Sequence, residues 1–399
     1  MRYWDAVFSF LVATAVAAAA TPLAARLARR LGAVDQPKER GLSRHATPLL
    51  GGLAILAAVL VAGWIWLPPK IFLPHVHGGP RGPGGVVHIW AVIAGACLIT
   101  LVGAIDDVWD LPPGLKLLGQ IAAALFAVEG GAVVTSVTLP FVHTLTFPNA
   151  GGLLTVVWLV ALMNVVNFSD GVDGLAAGLC TIDGIAFAII AFDLGVNGAP
   201  ILAAITAGAA LGFLFHNFYP ASVFMGDAGA NLLGYLLGVV AVVGSLKTNA
   251  FVALIVPLVI LVIPFLDTGF VIAKRLKYRR KPWSADSNHF HHRMARLGFS
   301  QRKTVVYLYA WSVLMAGLAV ALRIVSHHHR SQAGWIVGLM VLAVLCAAAS
   351  VYLIYVLEIF KFKGLRSIEI RRMDPAAGEE EIDDQVAKDI ETGEFEKVK

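Results

Sequence analysis

Long apolar runs alternate with short polar stretches along nearly the whole chain. The runs fall at 6–25, 49–67, 88–105, 116–134, 150–168, 174–193, 199–217, 228–246, 250–270, 304–324 and 334–360. Each approaches the roughly 20 residues that a helix needs to cross hydrocarbon. A helix also satisfies its own backbone there. The pattern predicts an all-α polytopic integral membrane protein of about eleven transmembrane helices. Residues 68–87, rich in Gly and Pro, read as an irregular loop. The division is a membrane domain over 1–360 and a charged tail over 361–399, with no internal repeat.

Composition agrees with that division. Apolar residues make up 58% of the 399 and charged residues 14%, against about 25% charged in soluble domains. Cys97, Cys180 and Cys346 lie in apolar runs without metal-ligand spacing and read as small buried hydrophobes. The net charge of +5 matters through its distribution. If the spans alternate, 25 of the 31 Lys and Arg fall on one side, in 26–44, at Lys116, in 274–303 and after 360. By the positive-inside rule that side is cytoplasmic, with the N-terminus outside and the tail inside. This basicity follows membrane topology and points to no nucleic-acid partner. The small residues Ala17–Ala20 resemble a leader cleavage site. The run lacks a basic start beyond Arg2 and is followed by Arg26, Arg29 and Arg30, so it reads as a retained span.

Four polar clusters interrupt the apolar pattern, and alternation brings all four to the cytoplasmic side. Asp106-Asp107 with Asp110 closes the third run, and Phe224-Met-Gly226-Asp227-Ala-Gly229 follows the seventh. Asn164-Val-Val-Asn167-Phe-Ser-Asp170-Gly171-Val-Asp173-Gly174 closes the fifth, and His289-Phe-His291-His292-Arg293 lies in the basic loop after the ninth. Adjacent carboxylates repel, so two ionised aspartates call for a cation. Mg2+ takes one or two carboxylates and completes its octahedron with phosphate and water. Histidines with Arg293 and the basic run 274–281 suit diphosphate oxygens. Together these point to phosphoryl chemistry at a membrane surface.

These residues resemble the polyprenyl-phosphate N-acetylhexosamine-1-phosphate transferases, the MraY/WecA superfamily. The resemblance covers almost the whole chain, from Asp35-Gln-Pro37 and His45-Ala-Thr-Pro48-Leu-Leu-Gly51-Gly52 to the His289–Arg293 motif. Eleven spans with an inside tail, and the His-x-His-His-Arg form after Ser284-Ala-Asp286, are similar to the WecA/TagO-like UDP-GlcNAc branch. The resemblance implies transfer of a hexosamine 1-phosphate from a UDP-N-acetylhexosamine to polyprenyl phosphate in the bilayer. UMP would be released at the cytoplasmic face of a bacterial plasma membrane.

It further implies Mg2+, with Mn2+ as a substitute, held by Asp227 and Asn167. Asp106 and Asp107 match a catalytic pair near the lipid phosphate, His291 and His292 match histidines near the donor diphosphate, and Asp173 matches a uracil contact. Asn164, Asp170, Lys116, His289 and Arg293 complete the expected substrate-binding set. Homodimers are common in the family. One departure is Ala230, where the family usually carries Ser.

The chemistry expected is direct attack of the lipid phosphate, with an aspartyl-phosphate intermediate as the alternative. A muropeptide donor is the second reading, and an ion- or proton-coupled transporter is the reading of another class. Asp183 and Glu129 fall within runs and have no catalytic role here; a hydrogen bond or exposure to water is the expectation. Pro257 and Pro264 predict a kinked or broken ninth span. His327–His329 reads as a solvated outside loop.

Overall fold

The computed structural model describes residues 3–36, 46–72, 85–134, 136–138, 144–146, 150–244, 300–328, 333–356, 370–371, 378 and 381–382. Among these there are ten helices, one on each predicted run except the ninth. They are α1 (Tyr3–Leu31), α2 (Gly51–Trp66), α3 (Ile89–Trp109), α4 (Pro113–Glu129) and α5 (Gly151–Ser169). The others are α6 (Leu175–Asp193), α7 (Ala199–Asn217), α8 (Gly226–Gly244), α9 (Gln301–His328) and α10 (Ala333–Val356). The run at 250–270, with Pro257 and Pro264, lies outside the described residues, as does the His289–Arg293 motif. Seven described helices are long and apolar enough to cross a membrane, and Gly51–Trp66 and Val337–Tyr352 are shorter apolar helices. The protein is a multi-pass membrane protein.

Two sequence expectations change. The 68–87 loop is closed by a ribbon, β3 (Lys70–Phe72) against β4 (Val86–His88), with Ile71 opposite Val87. Similar two-stranded pairs join β1 (Val34–Asp35) to β2 (Thr47–Pro48) and β5 (Ser136–Thr138) to β6 (Thr144–Thr146). Such short ladders satisfy backbone where a chain reverses outside a helix. The fourth span is also shifted: α4 starts at Pro113 and ends at Glu129, because Gly131 takes φ +92°. Glu129 is thereby the exposed last residue of its helix.

The chain divides into two compact units, Met1–Cys346 and Ala347–Lys399. In the first, α8 is the core helix, buried along its length and packed by α2, α3, α5, α6 and α7. Leu232, Leu233, Leu236, Leu237 and Val240 fill its surroundings. In α1 the flank carrying Ala13 and Ala17 is buried, and the helix packs along α7 and α2. Outward faces stay apolar, with Trp64, Trp90 and Leu153 exposed, as lipid contact requires. In the second unit Ile370 and Ile382 are buried.

Helix ends, rather than helix middles, carry the polar chemistry. Asp110 takes a left-handed conformation (φ 52°) and ends α3, and Pro113 opens α4. The tight α3–α4 reversal sets the last turn of α3 beside the first turn of α4. At the same end, the amides of Gly51 and Gly52 reach the carbonyls of Phe224 and Met225 at 3.0 and 2.9 Å, and Phe224 N–H reaches the Pro48 carbonyl at 2.9 Å. The Asp35 and Pro48 motifs thus pair with each other through β1 and β2 and buttress the turn that opens α8.

Candidate active site

Asp106 and Asp107 are adjacent, so on α3 their side chains diverge by about 100°. Asp106 turns to α4, where Lys116 Nζ lies 2.5 Å from its Oδ2; its Oδ1 accepts Leu111 N–H at 2.7 Å. Asp107 turns to α8 and accepts the first-turn N–H groups of Asp227 (2.8 Å) and Ala228 (3.3 Å). A carboxylate at a helix N-terminus satisfies orphan donors and meets the positive end of the dipole. Gly226 makes this possible: it sits at φ +67°, and a Cβ there would overlap the Asp107 carboxylate.

Asp227 completes the group. Its Oδ2 receives Lys116 Nζ at 3.1 Å and its Oδ1 receives Asn167 Nδ2 at 2.8 Å. Oxygens of Asp106, Asp107 and Asp227 lie within 4.8 Å of one another. Three carboxylates so close suit a hard divalent cation, and the ammonium of Lys116 sits among them. Asn167 faces Asp227 with its nitrogen, so its oxygen is the end left to face an ion.

The glycine-rich loop between α5 and α6 forms the neighbouring wall. Asp173 accepts Ala221 N–H at 2.9 Å, and Gly174 N–H donates to Asn217 Oδ1 at 3.0 Å. The Tyr309 hydroxyl of α9 donates to the Gly174 carbonyl, and a Cβ at Gly178 would overlap the Tyr309 ring. Burial pushes the Asp173 carboxyl upward, and the Ala221 amide partly offsets it. Asp170 is pushed well above the usual carboxylate range by burial, reinforced by the charges of Asp227, Asp107 and Asp173.

The structure therefore brings together Asp106, Asp107, Lys116, Asn167 and Asp227, with Asp170 and Asp173 on the adjoining loop. Asn164 stands one turn deeper, bonded to Gln120. His289, His291, His292 and Arg293 lie outside the described residues. Asp183 is buried mid-span and accepts a hydrogen bond from Ser312 at 3.2 Å, in keeping with the expected structural bond. His327 and His328 end α9, remote from Tyr309 at its site end. Sequence reading missed Gln120, Asn217, Asn231 and Tyr309. For two of these a signal existed: Gln120 and Asn231 each follow a site residue by four positions, on the same helical face.

Comparison with known proteins locates the same region. A family described as glycosyl transferase family 4 matches residues 89–245, which hold every described member of the cluster. The probable undecaprenyl-phosphate N-acetylglucosaminyl 1-phosphate transferase of Bacillus subtilis is 32% identical over 323 residues, covering 79% of this chain and 85% of the relative. The decaprenyl-phosphate N-acetylglucosaminephosphotransferase of Mycolicibacterium smegmatis is 36% identical over 318 residues, covering 73% and 75%. The phospho-N-acetylmuramoyl-pentapeptide-transferase of the same organism is 30% identical over 359 residues, covering 78% and 94%.

Proposed function

The chain belongs to glycosyl transferase family 4, in its WecA-like branch of polyprenyl-phosphate N-acetylhexosamine-1-phosphate transferases, and from that we propose how its site works. It transfers N-acetylglucosamine 1-phosphate from UDP-GlcNAc to a polyprenyl phosphate and releases UMP. The observation that carries this reading is the convergence of three carboxylates and one ammonium at helix ends. That is where a lipid phosphate at the bilayer surface and a soluble nucleotide sugar can meet. The basic side of the topology supports a cytoplasmic site in a bacterial plasma membrane.

A phosphomonoester has its second pKa near 6 and is largely dianionic at neutral pH, so the acceptor needs positioning more than activation. An acceptor oxygen forms a bond to the sugar-proximal phosphorus of the donor as the bond from that phosphorus to the UMP oxygen breaks. Lys116 neutralises phosphate charge, and Asp106 orients the acceptor and takes any residual proton. Both Asp107 oxygens already accept α8 amides, which supports direct displacement over an aspartyl nucleophile. Mg2+, or Mn2+, held by Asp227 and the Asn167 oxygen with Asp106 and Asp107 beside it, would screen the diphosphate and stabilise the leaving UMP. Asp173 accepts from the uracil, and the diphosphate is assigned to His291 and His292 on the family resemblance.

A coupled transporter finds less support. A transporter site would lie near the midplane, whereas the clustered carboxylates stand at helix ends, and the mid-span Asp183 is bonded to Ser312. The deciding experiment supplies purified protein with undecaprenyl phosphate, Mg2+ and labelled UDP-GlcNAc or UDP-MurNAc-pentapeptide, with Asp227→Ala as control. Label should enter lipid from UDP-GlcNAc only, with release of UMP. Transfer from the muropeptide donor instead would replace the sugar assignment, and transfer from neither would end the transferase reading.

A further inference from the structure

Beneath the carboxylates runs a chain of three side-chain amides. Asn164 Nδ2 donates to Gln120 Oε1 and to the Val160 carbonyl, both at 2.8 Å. Gln120 Nε2 donates to Asn231 Oδ1 at 2.8 Å, and Asn231 Nδ2 donates to the Asp227 carbonyl at 2.8 Å. Gln120 and Asn231 are buried. Each amide comes from a helix that also supplies the site, one turn nearer its end. Lys116 and Gln120 are four apart on α4, Asn167 and Asn164 three apart on α5, and Asp227 and Asn231 four apart on α8. Such pairs share a helical face, so the amides repeat the layout of the site one turn deeper.

Buried amides are costly unless each finds its partner, and apolar packing alone would join these helices without that risk. What an amide chain adds is sense: each link has one donor and one acceptor. A rotation of α4, α5 or α8 about its axis would break links that hydrophobic contact would tolerate. We propose that Gln120, Asn164 and Asn231 are positioning residues. They set the rotation and register of three helices and so fix where Lys116, Asn167 and Asp227 stand toward a divalent cation. The inference rests on the reading that the carboxylates bind such a cation.

The test is titration of the full-length protein in lipid nanodiscs with Mn2+ alone, followed by electron paramagnetic resonance. Gln120→Met and Asn231→Leu keep side-chain volume and remove the links. Each should weaken Mn2+ binding about 10-fold, the lower end for groups that orient metal ligands. The double variant should weaken it no further than the worse single, because both act through one chain. Wild-type Mn2+ affinity in folded singles, or a double equal to the product of the singles, overturns the proposal. If Gln120→Met does not fold, Asn164→Leu at the half-buried first link carries the same comparison. Asp227→Ala separates the two failures. If it binds Mn2+ like the parent, the cation reading falls and the relay with it. If it alone abolishes binding while the amide variants match the parent, only the relay falls.

Discussion

Lys116→Met removes the one ammonium that stands among the carboxylates in the described residues while keeping much of the stem's packing. Nζ stands 2.5 Å from Asp106 and 3.1 Å from Asp227. At an effective dielectric near 20, unit charges about 3 Å apart attract by about 5 kcal/mol, and carboxylates about 5 Å apart repel by about 3 kcal/mol. Desolvation already opposes the attraction, and Lys116 is 32% exposed, so the net loss is smaller. Removing one partner of a buried pair costs about 3–5 kcal/mol, and this half-open site belongs at the lower end. The expected destabilisation is about 3 kcal/mol without divalent cation. Mg2+ stabilises parent and variant alike, so it narrows this gap only by the variant's tighter binding, about 1.4 kcal/mol for each 10-fold in Kd. Lys116 also repels an incoming cation, so the variant should half-saturate at lower Mg2+ than the parent. Transfer should nevertheless stay slow, because Asp106 has lost its anchor and the donor diphosphate its ammonium. Thermal unfolding of the purified protein across a Mg2+ series, beside transfer of labelled sugar phosphate, reads both effects. Equal destabilisation at zero and saturating Mg2+, or weaker Mg2+ binding, would refute the reasoning.

Within the α5–α6 loop, Asp173→Ala should raise the donor KM about 10- to 100-fold, the loss of a charged hydrogen bond, with kcat little changed. Asn167→Ala should instead raise the half-saturating Mg2+ about 10-fold; identical behaviour of the two in steady-state kinetics contradicts the separate roles. Gly226→Ala strains a backbone at φ +67° and forces the Asp107 carboxylate aside, so transfer should fall at least about 100-fold. Excess Mg2+ should not restore it, and recovery at high Mg2+ would show that Asp107 placement is not what was lost. The Asp170 carboxyl titrates well above its ordinary range in the fold, against about 3.9 when unfolded. The folded state then holds the proton more tightly, so stability is greatest below the unfolded value and declines as pH rises toward the folded one. Asp170→Asn stays neutral, so in thermal unfolding without Mg2+ it should match the parent in acid and exceed it as pH rises. A gap that does not change with pH would count against this.

Apolar run length was enough to find ten helices, because a span must satisfy its backbone alone and needs no partner to be visible. The clustered polar residues were legible for a related reason: Asp106, Asp107, Asn167 and Asp227 stand at the ends of apolar runs, before or after them, where hydrocarbon would not tolerate them. What stayed hidden depends on partners distant in sequence. Gln120 and Asn231 lie 111 residues apart, and nothing local says that either amide is paired. Asn164 looked like a substrate contact because it shares a motif with Asn167, yet three residues of helix put it a turn deeper, against Gln120. The strand pairs β1–β2 and β3–β4 escaped notice because two or three residues show no alternation to read.

The adjacent aspartates show how the fold resolves what sequence could only pose. Side by side in the chain, Asp106 and Asp107 call for a cation to hold both charges. The helix answers by pointing them apart, and each finds a different positive partner. Asp106 meets the side-chain ammonium of Lys116, and Asp107 meets the backbone amides at the start of α8. A cap made of backbone amides has no rotamer to change, so Asp107 ties α3 to α8 whatever occupies the site. A lysine on four methylenes can move. On the proposed mechanism, arrival of a cation and the donor diphosphate would let Lys116 exchange a carboxylate for a phosphate oxygen and release Asp106 to face the acceptor. Two identical side chains one residue apart are thus divided into a rigid part and a responsive one. The division predicts opposite behaviour under conservative change. Asp107→Asn should fail structurally, since an amide offers one acceptor where two amides donate, and its unfolding temperature should drop. Asp106→Asn should keep the fold and lose transfer. The reverse pattern would assign the two roles the other way round.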